Sequence, residues 1–191
     1  SYSGAADASN YFSYFTPKVG FTYGFTNTKG LYANYSVGFA PPNITDLFTG
    51  VQVPTLKPST YNNYEIGGWS GFNEGRGNAD IALYKMDGKN EIMSVRQVDG
   101  TYKNQNVGET THYGMEANAR YEVVKGLTLR AGGTIAHHEY KDYVRNDKNL
   151  SGHHMSQAPP YFINSEVSYK PHFFKGFRIS FEWQGMGGYH T

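Results

Sequence analysis

Cysteine is absent from the 191 residues, which excludes a disulfide framework and thiolate metal sites. No run of about 18 apolar residues occurs either, so no helix can cross a bilayer. Charge is scarce at 17%, and the net charge of +1 leaves no electrostatic case for a nucleic-acid partner. Mean hydropathy is −0.60, which is polar for a membrane protein but compatible with a β-barrel whose inner face and loops are wet.

What is abundant is glycine (23), tyrosine (17) and phenylalanine (12), arranged with a period of two. That period sends successive side chains to opposite faces of a strand. Eight segments carry it. Val19, Phe21, Tyr23 and Phe25 alternate with Lys18, Gly20, Thr22 and Gly24. Leu31, Ala33, Tyr35, Val37 and Phe39 follow in the second segment, and Tyr64, Ile66 and Phe72 in the third. The fourth has Ala79, Ile81 and Leu83; the fifth, Tyr113 to Val123, is the most regular. Leu127, Leu129, Ala131 and Ile135 mark the sixth; Ile163, Val167 and Tyr169 the seventh; Phe177, Ile179, Phe181 and Trp183 the eighth. Short turns alternate with loops of up to about twenty residues (41–60, 98–109 and 141–160), the pattern of a transmembrane up-and-down barrel with periplasmic turns and extracellular loops. Two irregularities stand out. Trp69 shares parity with a polar row, and Lys85 falls on an apolar row, through either a bulge or the end of the hydrocarbon layer.

Parity predicts the turns as well. Val123 should face Leu127 across Val124-Lys125-Gly126, and Phe25 should face Leu31. A soluble β-sandwich, such as a carbohydrate-binding module with a Tyr-rich face, would also alternate. Against it, the apolar rows are almost free of charge, whereas Glu116, Arg120, Arg130, Glu166, Arg178 and Glu182 lie on the polar parity, as in a wet lumen. Aromatics near segment ends (Tyr11, Phe12, Tyr14, Phe15, Tyr61, Tyr140, Tyr161, Phe162 and Tyr189) suit a headgroup boundary.

Several pieces resemble the barrel of TonB-dependent outer-membrane receptors: Tyr35-Ser36-Val37-Gly38-Phe39-Ala40-Pro41-Pro42, Leu56-Lys57-Pro58, Asn63-Tyr64-Glu65-Ile66-Gly67, Ala82-Leu83-Tyr84-Lys85-Met86-Asp87, Asn106-Val107-Gly108-Glu109 and Gly114-Met115-Glu116. Ala40 stands where that family commonly has Arg, and Ser59 where it commonly has Glu. The resemblance implies an all-β, antiparallel barrel of about 22 strands, of which this chain supplies about eight as one partial barrel domain over 1–191. It further implies a plug and a TonB-contacting segment outside this chain, a place in the bacterial outer membrane among its lipids, and uptake of a scarce nutrient such as a ferric siderophore. Both ends of the chain look cut, so an interior piece of a larger protein is expected. A passive porin is the alternative on the same architecture.

Chemistry-bearing residues are few. No nucleophile elbow or His-Glu-x-x-His occurs, so no enzyme is expected, and no cofactor. Tyr143, Arg145, His153 and His154 fall in the third long loop and are candidates to meet an iron chelate or another small ligand from outside. His137, His138, His153 and His154 are weak metal candidates, since adjacent His side chains on a strand point apart. The charged polar row is read as a ladder of cross-strand ion pairs, or as docking for the plug or an anionic ligand.

Overall fold

The computed structural model describes residues 13–42, 56–97, 99–106, 108–145, 148–156 and 158–188. The strands are β1 (Lys18–Thr26), β2 (Lys29–Ala40), β3 (Ser59–Phe72), β4 (Gly77–Lys89), β5 (Ile92–Arg96), β6 (Tyr102–Asn106), β7 (Glu109–Val124), β8 (Leu127–Asp142), β9 (Val144–Arg145), β10 (Lys148–Asn149), β11 (Tyr161–Tyr169) and β12 (Ile179–Met186). Eight of them form one antiparallel sheet in the order β1-β2-β3-β4-β7-β8-β11-β12, the expected meander. Two further hairpins, β5–β6 and β9–β10, stand apart from this sheet: β6, β9 and β10 fall in stretches expected to be long loops, and β5 lies just before the second of them. The sheet is open: β1 and β12 do not pair with each other.

Register explains the faces. Phe21, Ala33, Ile66, Leu83, Met115 and Ile135 are successive cross-strand partners, so they form one apolar row. The next row towards the long loops is Val19, Tyr35, Tyr64, Lys85, Tyr113 and His137. Tyr35 and Tyr64 are in ring contact at 5.1 Å, and Tyr113 stacks on His137 at 4.8 Å. That is an aromatic girdle at the edge of the apolar band. Lys85 therefore sits at headgroup level, where its Nζ meets Asp87 at 2.7 Å, and β4 pairs through it without a bulge. Trp69 points to the polar side, its ring lying over Gly30. Of the aromatics expected at the boundary, Tyr61, Tyr140 and Phe162 face the polar side instead; Tyr11, Phe12 and Tyr189 lie outside the described residues.

Both hairpins carry a bulge beside the turn, as expected at Gly126, but the partners next to each turn differ from expectation. Val124, not Val123, pairs with Leu127, and the register shifts at Val123; Gly126 has the positive φ (87°) that the turn requires. In the first hairpin Thr26 pairs with Lys29 and Tyr23 with Leu31, leaving Phe25 as the bulged residue. Both tight turns save loop length by absorbing the extra residue in the strand.

No second layer covers the apolar face among the described residues. Phe21 is 67% and Phe181 72% exposed, and Ile66, Leu83 and Ile135 are also open. A contiguous apolar surface of this kind is untenable in water and normal against acyl chains. The described residues form one open sheet and not the two packed layers of a sandwich. Strand length agrees: β7 and β8 have 16 residues each, whereas about 9–11 suffice to cross a bilayer. Their surplus rises beyond the girdle and carries the loops.

Candidate functional site

Two regions of the polar face could act on a ligand. One is the strand wall. The other is the cap above it.

All six charged residues expected on the polar row lie on one face. Arg120, Arg130, Glu166 and Glu182 are successive cross-strand partners, so the row reads plus, plus, minus, minus. Arg130 donates to Glu166 at 2.7 Å, and Arg178, just before β12, donates to the other oxygen of the same carboxylate. These three make an ion-pair ladder. Glu116 faces Ala82 and Thr134 across its two ladders and stays outside that ladder. Asp80 accepts from Asn118 at 2.9 Å.

The cap is assembled from three loops. Asn106 clamps two of them. Its Oδ1 accepts from Lys57 N at 2.8 Å, while its Nδ2 donates to Lys57 O at 2.8 Å and to Asn90 O at 2.6 Å. Ser59 is buried and its hydroxyl donates to the same Asn90 carbonyl at 3.1 Å. Gly108 must be glycine, because a Cβ there would stand 2.0 Å from Asp142 O. Above the clamp, Val95, Tyr140 and Tyr143 are buried together, with Met93, Leu150 and Met155 against them. Tyr140 and Tyr143 have ring centroids 4.7 Å apart. Among the described residues, the buried aliphatic and aromatic side chains, Leu56, Val95, Tyr140 and Tyr143, lie at this end of the sheet.

The four candidate loop residues therefore separate. Tyr143 lies in the small core. His153 is exposed, with Nδ1 3.3 Å from Ser151 O. His154 bridges to Glu139, and its ring lies tilted against that of His137, centroids 4.2 Å apart, on the outward side. The side chain of Arg145 is outside the described set. His138 points the other way from His137, into the lumen side. Of the four candidate histidines only His137 and His154 are thus brought together, and no group of three metal-ligating side chains occurs among the described residues.

The structure adds a chain of polar groups that sequence reasoning missed. His112 Nδ1 lies 2.8 Å from His138 Nδ1, and His112 Nε2 lies 3.2 Å from Glu91 Oε1. Thr110 donates to the same Glu91 oxygen at 2.7 Å. Burial works to raise the Glu91 carboxyl, but the hydrogen bonds from His112 and Thr110 outweigh it and hold the group below its ordinary value. Glu91 stands at the foot of β5, so this chain ties the β5–β6 hairpin to the barrel wall. The signal was available: in the expected β7–β8 register, His112 already falls opposite His138.

The family profile for the TonB dependent receptor-like β-barrel matches residues 1–191. Over 122 residues the chain is 35% identical to the ferric-pyoverdine 358 receptor of Pseudomonas putida, covering 61% of this chain and 14% of that receptor. Among solved structures, the copper transporter OprC superposes with a TM-score of 0.66 at 16% identity, over 87% of this chain and 25% of OprC. The pyoverdine outer-membrane receptor FpvA from Pseudomonas aeruginosa PAO1, solved with pyoverdine bound, gives 0.59 at 25% identity, over 84% and 22%. The chain thus spans about a seventh of its curated relative and about a quarter of the solved chains.

Proposed function

Because this chain belongs to the TonB-dependent receptor β-barrel family, we propose that it forms wall and external cap of an outer-membrane receptor that takes up a scarce nutrient. The cargo is a ferric siderophore, a reading supported by the relatives named for pyoverdine. The outward rows meet membrane lipid, and the surplus of β7 and β8 lifts the cap into the medium. A plug and its coupling to TonB are supplied by sequence beyond this segment. The observation that carries the reading is the packed cap: a passive porin has no need for two loops that share a small core and a third clamped to them through Asn106.

The test is iron uptake. The complete receptor is expressed in cells deprived of their other siderophore receptors, and entry of ferric pyoverdine is measured with and without TonB. Uptake should require TonB and should fall when 92–106 is replaced by a short Gly-Ser linker. Uptake that persists without TonB would identify a passive pore. If ferric pyoverdine is not taken up while the receptor is folded at the surface, the siderophore assignment fails.

A further inference from the structure

The lumen wall carries unbalanced charge at its short-turn end. Arg120 lies directly opposite Arg130 in the β7–β8 ladder. Like charges in that position repel each other. Arg130 is relieved by Glu166, but Glu166 also receives Arg178, so one carboxylate answers two guanidiniums. Among the described residues, neither Arg120 nor Lys170 has a carboxylate at ion-pair distance. Arg130, Lys170 and Arg178 are exposed on the polar face and Arg120 is half-buried there. Arg120, Arg130, Lys170 and Arg178 line a cavity of about 290 Å³ beside the turn at Gly126, with the buried hydroxyl residues Thr128 and Ser168 on its wall. Glu122 is its one acidic lining residue, and that carboxylate already accepts from Gly126 N at 2.9 Å. With Glu166 counted at the rim and Glu182 opposite it on the same rung, four cations still face three anions, an excess of one positive charge. A water occupies about 30 Å³ in the liquid, so the cavity has room for a small oxyanion and its hydration.

We propose that this cavity is an oxyanion site, in which Arg120, Lys170 and Arg178 hold a phosphate- or carboxylate-class group on the lumen wall. The chemistry fits: guanidiniums grip planar or tetrahedral oxyanions through paired N–H donors, and an ammonium adds a point charge. Occupancy removes the Arg120–Arg130 repulsion that the ladder imposes. The anion has two sources, a free anion from the periplasmic side or a carboxylate side chain from another part of the receptor. The site does not depend on which nutrient the receptor carries.

Both sources are tested on the complete receptor in detergent. Inorganic phosphate is titrated and followed by phosphorus NMR. In parallel, the receptor is treated with a carbodiimide, which joins Lys170 to any carboxylate resting on it, and the peptides are mapped by mass spectrometry. Saturable phosphate binding that weakens about tenfold or more in Arg120→Gln, recovers in Arg120→Lys and is unchanged in the turn variant Lys125→Gln establishes a free-anion site. An amide from Lys170 to an acidic residue outside 18–186, formed less in Arg120→Gln, establishes a resident side chain. Heat-modified gel mobility confirms that each variant is folded. The proposal is overturned if folded receptor shows neither signal, if phosphate binds wild type and Arg120→Gln alike, or if Lys170 couples only to Glu122 or Glu166.

Discussion

His112 and His138 meet across the β7–β8 ladder with their Nδ1 atoms 2.8 Å apart, so one imidazole donates the single proton between them and the other accepts it. The arrangement fails once both rings are fully protonated. Glu91, on the far side of His112, is the charge that fixes which way the chain of hydrogen bonds runs.

This makes the cap sensitive to acid through Glu91. Its carboxyl is held below the ordinary value of 4.5 in the folded state. The stabilisation it brings is therefore complete above 4.5 and is lost as pH falls through the lower, folded value. Protease cleavage within 97–101 should stay slow at neutral pH and accelerate below about pH 4. Glu91→Gln should bring the fast cleavage to neutral pH, at a cost of about 1–3 kcal/mol in local stability.

Tyr143→Ala should loosen the cap and spare the wall. The ring fills the core shared with Val95 and Tyr140, and removing a buried aromatic side chain costs about 3–5 kcal/mol where the site cannot collapse. Hydrogen exchange should speed up in β5, β6 and the 148–156 segment. The β7–β8 ladder below the girdle should exchange as before.

Neighbouring residues of β4 should answer oppositely to charge. Leu83 lies in the apolar row and Ala82 beside Glu116 on the polar face. Leu83→Arg should cost about 2–4 kcal/mol on folding of the complete receptor into vesicles. Ala82→Arg should cost far less, as it gains a carboxylate opposite. Equal penalties at the two positions would show that the faces are wrongly assigned.

Gly67→Val should destabilise the wall by about 1–3 kcal/mol, read as a lower denaturant midpoint. A Cβ at Gly67 would stand 2.6 Å from the Tyr32 ring and 2.7 Å from Ile81 O. Tyr32 could swing aside, but the carbonyl is ladder backbone and has nowhere to go. Gly75, where an added Cβ meets nothing, serves as a site for a spatial control, although its φ of 85° still favours glycine.

Much of this was legible because a period of two is a statement about faces. Alternation separated Leu83 from Ala82 and put all the charged wall residues on one side before any contact was known. It was less informative about neighbours. Phe25 was expected opposite Leu31, whereas Tyr23 stands there, because a bulge moved the partners by two and left the faces intact. The β7–β8 bulge was kinder: it displaced the pairing only next to the turn, so Glu122 onwards follows the expected register. The cap was barely legible. Tyr143 read as an exposed loop residue because nothing local announces that Val95, nearly fifty positions earlier, folds over it. The Asn106–Lys57 clamp was hidden for the same reason, although both residues belong to the pieces that carried the resemblance.

The lengths of β7 and β8 determine how the cap can respond to whatever reaches it. Sliding one strand past the other by a single position would exchange every rung between them and turn greasy groups inward. That route is closed. At the foot of the β5–β6 hairpin Asn90 holds a left-handed φ of 56° and its N–H is fastened to Gly108 O at 3.0 Å, so the hairpin too is anchored to the strand ends. Whatever the cap does, the β7–β8 mast beneath it stays in register.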